Sequence, residues 1–74
     1  MKFDNFDGYE LETACRQKID GRYSVEVRIL KKLDGKVHKN YFIDSKISLI
    51  LPEETEKESI NFGKNLIKRN LVGF

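Results

Sequence analysis

The chain is poor in the residues that staple or equip small proteins. It has one cysteine and one histidine. One cysteine cannot close an internal disulfide, and no multi-cysteine metal site can form. There is no tryptophan, and proline and methionine occur once each. No apolar run approaches the roughly 20 residues that a membrane helix needs. The opening stretch MKFDNFDGYE lacks the apolar core of a secretory leader. Glycine-rich phosphate loops, paired metal-ligand motifs and nucleophile motifs are absent. These absences lead us to expect a cytoplasmic protein with no metal, no cofactor, no membrane partner and no catalytic set. A domain without staples must rely on packing or on self-association.

What is present is ordinary for one soluble domain. The 74 residues are 39% hydrophobic and 35% charged, too apolar for a disordered chain. A chain this short buries only about 60% of its unfolded surface, so its core is thin. The net charge of +2 is unevenly spread: −1 over residues 1–30, +3 over 31–46, −3 over 47–58 and +3 over 59–74. The last two blocks are the start and end of a predicted helix. Acids at its N-terminus and bases at its C-terminus complement the helix dipole, at roughly 0.3–1 kcal/mol for each well-placed charge.

Two related phrases, KIDGR at 18–22 and KLDGK at 32–36, place Asp-Gly between apolar runs, a hairpin signal. Parity decides the loop lengths. A three-residue loop Ile19-Asp20-Gly21 pairs Leu11 with Ile29, Thr13 with Val27 and Cys15 with Val25, keeping the apolar sets on one face. Gly21 then takes the left-handed position of a bulged turn. A three-residue loop Leu33-Asp34-Gly35 likewise pairs Val27 with Tyr41 and Val25 with Ile43, with Val37 on the same core face. Only Lys39 spoils that pattern. Strands are therefore predicted at about 8–17, 22–31 and 36–43. Ile47, Leu49 and Leu51 alternate again, as either a short fourth strand over 46–51 or a lead-in to the helix.

The helix is predicted over 52–70. Pro52 suits its first turn, and Thr55-Glu56-Lys57-Glu58 matches a capping box further in. Projected at about 100° per residue, Thr55, Ser59, Phe62, Gly63, Leu66 and Ile67 share one face, with Ile60 at its edge. Thr55, Ser59 and Gly63 lie four residues apart, so the stripe is a shallow groove. Small side chains there let the helix backbone approach bulky neighbours, with Tyr23, Tyr41 and Phe62 the candidates. The apolar end Leu71-Val72-Gly73-Phe74 is expected to fold back onto the core or to meet another subunit. The fold class is α+β: an antiparallel meander of three strands, or four if 46–51 pairs, with one C-terminal helix on one face.

FDGYELETA, DGRYSVEVRI and PEETEKESINFGKNLI together resemble a short bacterial strand-strand-strand-helix domain family of uncharacterised activity. Its helix is patterned Pro-Glu-Glu-Ala-x-x-x-Ala-x-x-x-Gly-Arg/Lys. Gly8-Tyr9, Asp20-Gly21-Arg22-Tyr23, Pro52-Glu53-Glu54 and Gly63-Lys64 match it. Thr55 and Ser59 stand where that family has alanine. A weaker likeness is to HicB-type antitoxin domains. The resemblance implies the fold and brings no activity.

By the same parity Cys15 faces the core and His38 faces away from it, which separates the only thiol from the only imidazole. The uncovered sheet face is then the leading candidate surface, centred on Arg28, His38, Asn40 and Phe42. The expected function is a small non-catalytic binding or adaptor domain whose partner is another protein. The alternative is a nucleic-acid accessory domain using Lys31, Lys32 and Lys36 of the second hairpin with Lys64, Lys68 and Arg69 of the helix end. The expected state is a monomer or a weak homodimer.

Overall fold

Three Asp-Gly pairs set the topology, and they close two kinds of loop. In the computed structural model, which describes residues 2–74, Asp7 and Gly8 have φ of 52° and 82°, and Asp34 and Gly35 have 51° and 77°. Two successive left-handed residues make the two-residue hairpin loop whose twist matches that of its strands. At the middle pair only Gly21 is left-handed, with φ 85°. There the loop is Ile19-Asp20-Gly21, closed by the Lys18 N–H donating to the Arg22 carbonyl at 2.7 Å.

The result is a four-stranded antiparallel meander in the order β1-β2-β3-β4. The strands are β1 (Phe3–Phe6), β2 (Tyr9–Thr13), β3 (Tyr23–Leu33) and β4 (Lys36–Leu49), followed by the helix α1 (Pro52–Lys68). The fold class matches the α+β expectation. The fourth strand, however, is β1 at the front. Residues 46–49 instead continue β4 beyond a bulge: Val25 pairs with Asp44 but Ser24 pairs with Ser48, so residues 45–47 are extra on β4. The Lys46 N–H donates to the Asp44 carboxylate at 3.1 Å within that bulge.

The first predicted register holds: Leu11 pairs with Ile29 and Thr13 with Val27. The predicted strand 8–17 is cut at Thr13, although Gln17 still bridges Tyr23. At the break, the Glu26 N–H donates to Ser59 Oγ at 3.2 Å, so a helix side chain takes a donor that the ladder would otherwise use.

The second predicted register fails by one residue. Leu33 belongs to β3 and pairs with Lys36, so Val27 meets Phe42, Ile29 meets Asn40 and Lys31 meets His38. Slipping one residue turns every β4 side chain to the other face. His38, Asn40 and Phe42 lie on the helix side, while Val37, Tyr41 and Ile43 lie on the open side, with exposures of 64%, 43% and 49%.

The helix rests chiefly on β3 and also touches β2 and β4. Thr55, Ser59, Ile60, Gly63 and Ile67 are its buried residues. The small-residue stripe is buried as a docking surface, as expected, but at Gly63 it meets aliphatic side chains rather than tyrosines. A Cβ on Gly63 would stand 3.0 Å from Leu11 Cδ2 and 3.2 Å from Val27 Cγ2. Leu51 offers no side-chain cap. Its carbonyl instead accepts from both the Thr55 N–H, at 3.0 Å, and Thr55 Oγ1, at 2.7 Å. The helix ends two residues before the expected position because Asn70 turns left-handed, with φ 54°. The Leu71 N–H then reaches the Leu66 carbonyl and the Asn70 N–H the Ile67 carbonyl, the paired bonds of a Schellman ending.

The apolar tail folds back. Val72 is 3% exposed and joins Leu11, Val27, Ile29, Ile60 and Ile67 in one core cluster. Asn40 Nδ2 donates to the Val72 carbonyl at 2.6 Å, and the Phe74 ring stacks on Tyr9 at 6.0 Å.

Candidate functional site

The open face is lined by alternate residues of the four strands. Cross-strand rows run Phe3–Glu12–Arg28–Tyr41 and Asn5–Glu10–Leu30–Lys39, with Lys32 beside Val37 near the second turn. Arg28, the one member of the expected quartet that stays on this face, forms an ion pair with Glu12. Opposite charges on neighbouring strands contribute roughly 0.2–1 kcal/mol. The apolar content of the face gathers along β4, at Val37, Tyr41 and Ile43, with Phe3 66% exposed on the far edge.

Strand β4 is also a backbone edge. The Ala14 N–H donates to the Glu26 carbonyl and the Ser24 N–H to the Arg16 carbonyl, so even-numbered β3 residues aim their peptide groups at the β2 side. Odd-numbered β3 residues therefore aim theirs at β4. Val37, Lys39, Tyr41 and Ile43 stand opposite Lys32, Leu30, Arg28 and Glu26. Their own N–H and C=O groups consequently point outward, away from the sheet. One strand thus presents, at the same four residues, apolar or long side chains on the open face and free peptide groups along the edge.

The structure divides the six basic residues of the alternative site. Lys31 Nζ lies 4.3 Å from the centre of the Tyr9 ring. Lys64 and Lys68 lie 5.8 and 5.6 Å from that of Phe6. Phe6 and Tyr9 are direct partners in the β1–β2 hairpin, so these three cations converge on one aromatic pair. Lys64 also meets the Asp4 carboxylate at 3.1 Å. The Asn5 N–H donating to Asp4, and then Lys64, hold that carboxyl below its ordinary value of 3.8. Lys32 is on the other face of the sheet, Lys36 flanks the second turn, and Arg69 caps the exposed helix end.

Cys15 and His38 share the helix side, contrary to the expected separation by face, yet they stand apart along it. Cys15 Sγ lies 3.0 Å from Ser59 Oγ, whose hydroxyl accepts the Glu26 N–H beside Ile43. The imidazole is at the other end, edge-on to Phe74 at 6.3 Å. Five residues of β4 separate Ile43 from His38, roughly 17 Å at the strand rise. No thiol–imidazole couple can form at that distance. Ser59 Oγ donates to the Thr55 carbonyl at 2.8 Å, so the thiol is the donor to Ser59. The carboxylate of Glu26, 1% exposed, accepts from Ser24 Oγ and lies 3.3 Å from Arg16 Nη2.

Among the described residues, no cluster of histidine, cysteine, aspartate and glutamate could hold a metal ion, and no helix is long and apolar enough to cross a membrane. The sequence reading missed Val37, Lys39, Tyr41 and Ile43 as surface residues. The signal that could have found them was Lys39 itself, a charge placed inside the supposed core alternation. No family model, curated protein or solved structure matches the chain.

Proposed function

We propose that the chain is a non-catalytic binding module that acts through protein contacts by accepting a strand along the outer edge of β4. The observation that carries this reading is the coincidence, at Val37, Lys39, Tyr41 and Ile43, of outward peptide groups and exposed open-face side chains. Main-chain bonds along such an edge supply affinity, and alternate side chains supply selectivity. The role assigned to Arg28 is to fix the floor beside that edge through its pair with Glu12. His38, Asn40 and Phe42 serve the fold on the other side, where Asn40 holds the tail.

The nucleic-acid alternative draws support from Lys31, Lys64 and Lys68 converging on one hairpin. It is the weaker reading because those lysines cover the ring faces on which bases would stack, and Lys64 is engaged by Asp4.

An amide NMR titration separates the two. The labelled protein is titrated with short capped peptides of alternating valine and threonine, and separately with short oligonucleotides at low and moderate salt. The proposal expects peptide-induced shifts at Val37, Lys39, Tyr41 and Ile43, abolished by Lys39→Pro, which removes an outward N–H from a strand edge that tolerates proline. Salt-sensitive shifts at Lys31, Lys64, Lys68 and Arg69 with oligonucleotides, and a silent β4 with peptides, would replace it with the nucleic-acid reading.

A further inference from the structure

We infer that the strand received by β4 is β4 of a second copy of this chain, in one defined antiparallel register with Asn40 on the two-fold axis. The inference rests on the edge reading above and adds the identity of the occupant.

Geometry fixes the register first. The regular part of β4 begins at Lys36, after the Asp34-Gly35 loop, and ends at Asp44, before the bulge at 45–47. The midpoint of Lys36–Asp44 is Asn40. An antiparallel two-fold pairing that uses the whole regular run must therefore centre there. Val37 then meets Ile43 of the other copy, and Lys39 meets its Tyr41. These are the odd-numbered residues whose peptide groups point outward, so each such pair exchanges two backbone hydrogen bonds.

Side chains agree with the same register. On the open face, Val37 packs against Ile43 of the second copy, joining two exposed aliphatic residues. Lys39 lies beside the Tyr41 ring, a cation and an aromatic. On the helix face, Lys36 stands opposite Asp44 of the second copy, His38 opposite Phe42, and Asn40 opposite itself. Lysines on an edge strand ordinarily discourage pairing with arbitrary strands. Here each of the two lysines inside the run finds a matching side chain, so the same charges favour this strand over an arbitrary one. Shifting the centre to Lys39 sets Lys39 against itself, and shifting it to Tyr41 takes Lys36 from Asp44 to the bulge at 45–47, so both neighbouring registers lose the charge match. A two-fold contact is self-complementary by construction. The eight-stranded sheet it makes supports the thin protomer core without a disulfide or metal.

The test is sedimentation equilibrium on the full chain from micromolar to millimolar concentration, with two charge variants. Lys36→Asp alone sets two carboxylates against each other at each of these cross-copy pairs, and Asp44→Lys alone sets two ammonium groups together. Each is expected to weaken self-association roughly tenfold, since two symmetry-related pairs change from attraction to repulsion. In the mixed dimer of the two variants, one such pair is again the native Lys–Asp and the other is the same pair reversed. Association is therefore expected to return near the parent's. Circular dichroism on each variant checks that it is folded. A parent that stays monomeric to millimolar concentration, while valine-threonine peptides still shift the β4 amides, overturns the second-copy inference and leaves the edge reading standing. A monomer whose β4 ignores those peptides overturns both. A dimer indifferent to the two variants, singly and mixed, overturns this register and the inference with it.

Discussion

The helix packs tightly on the sheet at Gly63, and the cost of a side chain there follows from the distances. A methyl group there would stand 3.0 Å from Leu11 Cδ2, 3.2 Å from Val27 Cγ2 and 3.5 Å from Val27 Cγ1. Ordinary carbon contacts lie near 3.5–4.0 Å. Leu11 and Val27 are both fully buried, and the β-branched Val27 has little rotamer freedom in which to yield. Alanine at 63 gains about 1 kcal/mol of helix propensity over glycine, against about 1–3 kcal/mol for forcing a methylene-sized group into a packed core. Gly63→Ala is therefore expected to lie between neutral and about 2 kcal/mol destabilising. Gly63→Leu adds three further carbons with nowhere to go. It is expected to reach or exceed about 3 kcal/mol, net of its own propensity gain. For a domain of this size each 1 kcal/mol moves Tm by roughly 4–8 °C. Thermal melts followed by circular dichroism should thus show anything from no change to a loss of about 8–16 °C for alanine, and a larger loss, above about 12 °C, for leucine. A leucine variant melting within about 2 °C of the parent would refute the close approach of α1 to β2 and β3.

Three other outcomes follow from the same packing. Ser59→Ala leaves the buried Glu26 N–H without its acceptor, costing about 1–3 kcal/mol less about 0.5 from helix propensity; urea melts should show a lower midpoint with an unchanged slope, and the Glu26 amide should exchange faster. Ending the chain at Asn70 removes the buried Val72, worth about 1.5–3 kcal/mol by transfer, and frees Asn40; stability should fall while the state of association does not change. Asp4 has its carboxyl depressed by the Asn5 N–H and by Lys64, so its contribution is full above the unfolded value of about 3.9 and is lost as pH falls through the lower folded value. Asp4→Asn should flatten the dependence of Tm on pH below about 4 and leave its shape near neutrality unchanged.

How much of this was legible beforehand differs from strand to strand, for physical reasons. The first hairpin register was readable because Leu11, Thr13, Val25, Val27 and Ile29 are all buried on one face, and only one loop length allows that. The helix and its small-residue stripe were readable because spacing alone places Thr55, Ser59 and Gly63 together. The β4 register was not, because β4 is an edge strand with no fully buried residue on either face. Its alternation of Val37, Tyr41 and Ile43 looks like a core face but meets solvent, while the helix side takes His38 and Asn40 alongside Phe42. Two cues pointed the right way: Lys39 interrupting the supposed core, and Asp34-Gly35, a pair that favours the two-residue loop. β1 escaped notice although Asp7-Gly8 is a third copy of the same turn signal. The binding residues moved with the register, so three of the four expected on the open face are on the other side.

Which β4 peptide groups face outward decides both the free edge and its pairing, and amide hydrogen exchange reads that residue by residue. At low micromolar concentration, the amides of His38, Asn40, Phe42 and Asp44 should be protected by β3, while those of Lys39, Tyr41 and Ile43 exchange rapidly. At millimolar concentration the second set should slow as well. The opposite pattern at low concentration, with Lys39, Tyr41 and Ile43 protected and Asn40 and Phe42 fast, would restore the three-residue turn, turn the free edge over to the other residues, and contradict the account.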